Sequence, residues 1–387
     1  MLHHVYFVPG MFGFGRLASY DYFAHLERAL LSELRARGHE AATWVVDVSP
    51  TASVRRRAAR LAELVASTST GQEAIHLIGH STGGVDVRLL ASPGVSVPCD
   101  DPALTWLPRL ASVTTMSTPH YGTPLAAFFA TVSGQKMLYA MSALTFIALT
   151  LGSPPLAAAS ALVFAIGRLD RALGFQIRVL DRATDRLLRV LDEARSHEVR
   201  SYLDAIGSDQ GAMVQLMPEA MDLYQASVRD RPGVLYQCTM SMAKLPSPVK
   251  WLGQLTSPWG ALSTAIFAAL WGITSRTDER YPCVAPYAGE EAEAVLAKAF
   301  GRAPGLRAND GVVPLRSQLH GRVAWAGYAD HLDVLGHFAG AKGSRNASGP
   351  DGDTPHVDWL RSGAGFDEAR FAEMTSAIAE GIARAGG

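Results

Sequence analysis

Residues Ile75-His76-Leu77-Ile78-Gly79-His80-Ser81-Thr82-Gly83-Gly84 join an apolar run to a Gly-x-Ser-x-Gly core, and a helix-like segment follows. A strand that turns this abruptly into a helix holds one residue in a strained backbone at the tip of a sheet. Gly79 and Gly83 suit such a turn, because a side chain at either position would strike the neighbouring strand or helix. The chain around it keeps the same rhythm. Val5 to Val8 is an apolar strand ending in Pro9-Gly10. Tyr22 to Arg37 carries helical periodicity through Phe23, Leu26, Leu30 and Leu34 and stops at Gly38. Ala42 to Val48 reads as a strand, Ser53 to Ala66 as a helix, Gly84 to Leu90 as the helix after the serine, and Ser112 to Ser117 as a further strand. Alternation of this kind predicts an α/β chain with a mostly parallel sheet covered by helices on both faces.

The rhythm breaks after Pro124. Residues 137–167 carry no charged side chain, and Gly152-Ser153-Pro154-Pro155 interrupts them. Each half is shorter than the roughly 20 residues that span a bilayer, so a helical hairpin is expected. That hairpin reads either as a buried helix pair or as a lid whose apolar face covers a pocket or meets a lipid surface. A second uncharged segment runs from Trp251 to Ser275. Between the two, Arg168 to Arg200 suggests exposed amphipathic helices. Val234 to Met242 and Val323 to Tyr328 resume strand character, Gly340 to Pro355 reads as a loop, and Phe366 to Ala385 as a closing helix. The expected organisation is one domain over 1–387, with a helical lid or cap inserted at 125–200 and a second, partly apolar insertion at 243–308.

With 35 basic and 36 acidic residues, nothing in the chain points to a nucleic-acid partner. The densest basic cluster, Arg55-Arg56-Arg57 with Arg60, alternates with apolar residues at helical spacing and reads as a solvated helix face. Cys99, Cys238 and Cys283 are far apart and lack metal-ligand spacing, so reduced thiols are expected. The first strand begins at once, with no basic or long apolar leader before it. The sequence as it stands therefore predicts a cytoplasmic protein, or a secreted one whose leader has been trimmed.

A serine at such a tip is a candidate nucleophile. It needs a base within hydrogen-bond reach, and the base needs an orienting acid. On a parallel sheet these partners come from loops at the carboxyl ends of later strands, in the order Ser, Asp or Glu, His. Asn309-Asp310-Gly311-Val312-Val313-Pro314 supplies a carboxylate in a tight turn, and Ala329-Asp330-His331-Leu332-Asp333 supplies a histidine directly after a strand. Among 12 histidines, His320, His337 and His356 are the nearest rivals to His331. The backbone donors of an oxyanion hole are expected from Thr82 and from the loop after the first strand, with Met11 preferred to Phe12. His80 is expected to pack beside the turn without a chemical role.

These residues resemble the bacterial triacylglycerol lipases of the Pseudomonas and Burkholderia type, within the α/β-hydrolase superfamily. Gly79 to Gly84 looks like that family's nucleophile elbow. Leu110 to Thr123 looks like its next strand and Thr-Pro-His-x-Gly turn, and Asn309-Asp310-Gly311 and His331-Leu332-Asp333 look like its acid and base turns. Pro9-Gly10 stands where the family has His-Gly. The resemblance implies a sheet of about six strands, a mobile lid and hydrolysis of acylglycerols or other apolar esters. It also implies a structural calcium, for which Asp333 matches one ligand; the second carboxylate has no clear position, with Glu290, Glu291 and Glu293 only in its neighbourhood. The same triad serves esterases, thioesterases, polyester hydrolases and acyltransferases. A membrane-associated binding protein on a hydrolase fold is the reading from a different class, and the apolar segments also offer a homodimer interface.

Overall fold

The computed structural model describes residues 2–11, 16–17, 20–69, 71–131, 134–135, 137–138, 204, 209–249, 258–286, 289–338 and 358–386. Its centre is a sheet of six strands: β1 (Leu2–Val8), β4 (Glu40–Val45), β5 (Ala74–His80), β6 (Leu110–Met116), β7 (Leu235–Met242) and β8 (Arg322–Tyr328). They lie in the order β4-β1-β5-β6-β7-β8, and every neighbouring pair is parallel. Two short strands, β2 (Arg16–Leu17) and β3 (Tyr20–Asp21), form a separate antiparallel ribbon.

The strands are near-continuous apolar runs because both faces are covered. Alternate residues of β1 serve opposite layers. Val5 and Phe7 join the core beneath α1 (Ala24–Ala36) and the C-terminal helix Glu368–Ala385. Tyr6 and Val8 join the core beneath α2 (Val54–Thr68) and α3 (Thr82–Ala91). Most sequence-predicted elements occur within a few residues of their expected limits. The Ser53 side chain caps α2 by accepting from the Arg56 amide at 3.4 Å, as its position before the periodic run suggests.

Of the basic cluster, Arg55, Arg56 and Arg60 are exposed as expected and Arg57 departs from expectation. Arg57 is 1% exposed, and its Nε donates to Asp86 Oδ2 at 2.8 Å. The helix face it occupies packs against α3, and a guanidinium is tolerated there because a carboxylate and three backbone carbonyls receive it. Apolar spacing at 58, 59, 61 and 62 marks the buried face but gives no sign that an arginine shares it.

After β6 the chain forms α4 (Pro124–Phe129). The expected lid or cap at 125–200 otherwise falls largely outside the described residues, as do the stretches 168–200 and 340–355. The second uncharged segment forms α7 (Pro258–Thr274), where α5 is Gly211–Gln215 and α6 is Pro218–Ser227. Leu262, Phe267 and Leu270 of α7 are buried in the main core, so its uncharged character is that of a core helix. α8 (Glu290–Phe300) follows, and α9 is the C-terminal helix Glu368–Ala385. Among the described residues no helix is long and apolar enough to cross a membrane. All three cysteines are free thiols.

Chain direction across the sheet reverses between β1 and β5. From β1 the chain first steps to β4 on one side, then crosses to β5 and continues outward through β6, β7 and β8. The crevice outside the carboxyl ends of strands at such a switch point is where open α/β sheets bind ligands. Pro9-Gly10-Met11 leaves β1 there, and Ser81 leaves β5 there.

Candidate active site

Ser81 sits between β5 and α3 with φ 55° and ψ −126°. A non-glycine residue with positive φ is strained and persists only where its surroundings fix it. Here the Ser81 amide donates to the Met116 carbonyl at 2.9 Å, and the Ser81 carbonyl accepts from Gly84 at 3.0 Å. The turn requires its glycine: a Cβ on Gly83 would lie 2.1 Å from the Val8 carbonyl oxygen. Gly10 permits the other close approach, since a Cβ there would lie 2.7 Å from Ser81 Cβ. The loop after β1 is thereby pressed against the serine.

Asp310 and His331, far from Ser81 in sequence, meet at the carboxyl ends of β7 and β8. His331 Nδ1 donates to Asp310 Oδ2 at 2.8 Å. Asp310 is held in turn. Its Oδ1 accepts from the amides of Val312 at 2.9 Å and Val313 at 2.7 Å, and Gln318 Nε2 approaches Oδ2 at 3.4 Å. The His331 amide donates to the Asp310 carbonyl at 3.0 Å, so backbone and side chain tie the two loops together. This arrangement fixes which ring nitrogen carries the proton and leaves Nε2 as the basic atom. His331 lies beside the serine turn, with its ring centroid 4.6 Å from that of His80. Ser81 Oγ itself makes no hydrogen bond among the described residues.

A cavity of about 20 Å³ lies at Ser81, lined by Met11, Thr82, Leu125, Phe129 and Val312 among others. That is room for about one water, and its walls are mostly apolar. The Met11 and Thr82 amides donate to no backbone carbonyl in the turns and loops of the described residues. Phe12 lies outside the described residues. Larger clefts of about 740 and 640 Å³ lie elsewhere, and neither is lined by Ser81, Asp310 or His331.

The rival histidines have other partners. His320 Nε2 pairs with Asp230 at 3.0 Å, and His337 packs against His25; His356 lies outside the described residues. His120 of the Thr-Pro-His turn receives a hydrogen bond from Arg88 at its Nδ1, 3.1 Å away. Its amide donates to the Ser317 carbonyl at 2.9 Å, tying the turn after β6 to the segment that follows Asp310. Three residues next to the site have partners that no motif signals: Gln318, Tyr22 and His80. Gln318 and Tyr22 lie in unremarkable local sequence. His80 is visible in the motif, but its partners come from distant segments.

Asp333 is built into its own turn. Its Oδ2 accepts from the Asp330 amide at 2.8 Å, while Asp330 Oδ1 accepts from the amides of Leu332 at 3.0 Å and Asp333 at 3.1 Å. Burial, and then the neighbouring carboxylates, push Asp330 and Asp333 well above the usual carboxylate range. Burial pushes Asp358 up to about 6. Glu293 is paired with Arg316. Calcium takes six or more oxygens, and among the described residues no group of three or more acidic, histidine or cysteine side chains suits a metal.

A strained serine at the end of β5, an acid and a histidine on the loops after β7 and β8, and a six-stranded parallel sheet define the architecture. The fold is that of the α/β hydrolases. No known protein-family profile matches the chain. A stretch of 121 residues is 34% identical to a triacylglycerol lipase of Vibrio cholerae serotype O1. The match covers 31% of this chain and 33% of that lipase, so it spans about a third of the relative's length. Among solved structures, EstA from Clostridium botulinum is similar at 19% identity, over 97% of this chain and 87% of that one, with a TM-score of 0.46. Lipase 1 from Pelosinus fermentans is similar at 16% identity over 88% and 94%, with a TM-score of 0.48. The Staphylococcus hyicus lipase is similar at 16% identity over 99% and 94%, with a TM-score of 0.45.

Proposed function

We propose that the chain is a serine carboxylester hydrolase acting on apolar acyl esters, with acylglycerols as the favoured class. The observation that carries this reading is the 2.8 Å bond between His331 Nδ1 and Asp310 Oδ2 beside a serine with φ 55°. The apolar cavity wall of Leu125, Phe129 and Val312 and the partial similarity to a triacylglycerol lipase favour an acyl chain over a polar substrate.

In this mechanism Ser81 Oγ attacks the ester carbonyl carbon while His331 Nε2 takes its proton. The carbonyl oxygen becomes an oxyanion that the Met11 and Thr82 amides receive. The imidazolium, stabilised by Asp310, then protonates the leaving alcohol as the C–O bond breaks. Water, deprotonated by His331, attacks the acyl-enzyme, and collapse of the second tetrahedral species frees the carboxylic acid and Ser81. Attack requires Ser81 Oγ to turn toward Nε2, a tightening usual on passing from free enzyme to substrate complex.

The test is hydrolysis of p-nitrophenyl esters of increasing chain length, together with labelling by an active-site phosphonate. Wild type is expected to label at Ser81 and to prefer chains longer than butyrate. Ser81→Ala is expected to keep the fold and lose both hydrolysis and labelling. Full hydrolysis by that variant would remove the serine from the mechanism.

A further inference from the structure

His80 is wholly buried, and the mechanism above does not use it. Its Nε2 lies 2.9 Å from the His331 carbonyl oxygen, and its Nδ1 lies 2.7 Å from the Tyr22 hydroxyl. These contacts admit one pattern of protons. A carbonyl oxygen only accepts, so His80 carries its hydrogen on Nε2. A ring that is neutral at Nδ1 then accepts there, so Tyr22 must donate its hydroxyl hydrogen to it. The result is a one-way series: Tyr22 O–H to His80, His80 Nε2–H to the His331 carbonyl.

We propose that His80 and Tyr22 are positioning residues of the active site, whose hydrogen-bond series fixes the loop bearing His331 relative to the end of β5, which carries the serine. The proposal rests on the hydrolase reading above. The three residues come from three places: the segment before α1, the end of β5 and the loop after β8. They therefore tie the base to the strand end that carries the serine. The His331 backbone is gripped on both sides, since its amide donates to Asp310 and its carbonyl accepts from His80. Both Tyr22 and His80 are shut off from solvent, so no water replaces a lost partner. His80 is not itself a base in this arrangement: one nitrogen carries a proton and the other accepts one.

Three variants test this. Tyr22→Phe deletes the hydroxyl that sets the His80 tautomer. His80→Asn keeps an acceptor near the Nδ1 position and loses the donor to His331. His80→Gln reaches the Nε2 position with an amide N–H and restores that donor. Tyr22→Phe and His80→Asn are expected to lower kcat about 10- to 100-fold, as small misplacements of reacting groups do, with KM changed less than about twofold. The rate of phosphonate labelling at Ser81 should fall in parallel. His80→Gln is expected to recover most of kcat. Thermal melts show which variants are folded, and kcat is compared only among those. If wild type labels at Ser81 but folded Tyr22→Phe and His80→Asn keep wild-type kcat, the positioning role is overturned. Equal impairment of His80→Gln and His80→Asn overturns it as well. If wild type neither labels nor hydrolyses, the hydrolase reading has failed and this proposal falls with it.

Discussion

At the scale of single residues, the site depends on atoms held where water and free rotation would not hold them. Ser81 keeps its strained backbone because Gly83 and Gly10 let two other backbone segments close against it. Asp310 does two jobs with two oxygens: Oδ1 closes its own turn on Val312 and Val313, and Oδ2 receives His331. Asp310→Asn can preserve the first role, because an amide oxygen also accepts. At Oδ2 it places an N–H or removes the charge, which leaves His331 in the wrong tautomer or its imidazolium unsupported. We expect kcat to fall about 10³- to 10⁴-fold with KM and the urea midpoint little changed. Turnover within tenfold of wild type would move the acid elsewhere.

At the scale of elements, α2 and α3 meet through the buried Arg57–Asp86 pair. Burial pushes Asp86 up to about 6 even against the pull of the Arg57 charge. Desolvation thus offsets much of the pair's attraction. Arg57 also donates to the Pro9 carbonyl and to the carbonyls of Ser49 at 3.1 Å and Pro50 at 3.3 Å. It therefore secures the loop that bears Met11 to the helix that follows the serine. Arg57→Met strands a carboxylate in the core and is expected to cost about 3–5 kcal/mol in urea unfolding. Adding Asp86→Leu should recover a large part of that loss. A double variant as unstable as the single one would mean that the backbone carbonyls, and not Asp86, are what Arg57 satisfies.

At the scale of the whole molecule, the two ends of the sheet differ in chemistry. The carboxyl end carries the candidate site. The amino end carries a row of imidazoles: Ser112 Oγ to His76 Nδ1 at 2.8 Å, His76 Nε2 to His3 Nδ1 at 2.9 Å, and His3 Nε2 to His39 Nδ1 at 2.9 Å. Each link needs a donor on one group facing an acceptor on the next. Burial, then the neighbouring imidazoles, lower His76 to about 3 and His3 to about 4. Because the unfolded chain binds these protons near pH 6.5, their contribution to stability is complete above that pH. It is lost as pH falls through the folded-state values, at about 1.4 kcal/mol per pH unit for each group. The urea stability of wild type should drop between pH 7 and pH 4.5, and His76→Gln should narrow that drop. An unchanged difference in the variant would place the acid sensitivity elsewhere.

The alternation of strand and helix, the tip serine and the order of acid and base turns were legible because each is local. Periodicity is fixed by neighbours within a helical turn or a strand pair, and a glycine is required where the backbone of its own turn has no room. The same local reading singled out Asp310, in a tight turn after an insertion, and His331, directly after a strand, from many carboxylates and 12 histidines. It misjudged Arg57 and did not foresee the partners of His80, because for both residues some of those partners lie far away in sequence. His80 reaches a carbonyl 251 residues away, and Arg57 a carbonyl 48 residues away. Such pairs exist only once the strand order brings the loops after β1, β5 and β8 to one edge. The sequence by itself therefore determined the architecture and the chemistry available to it. Tertiary structure decided which buried polar groups find partners, because desolvation makes pairing obligatory there and only the assembled sheet supplies the partners.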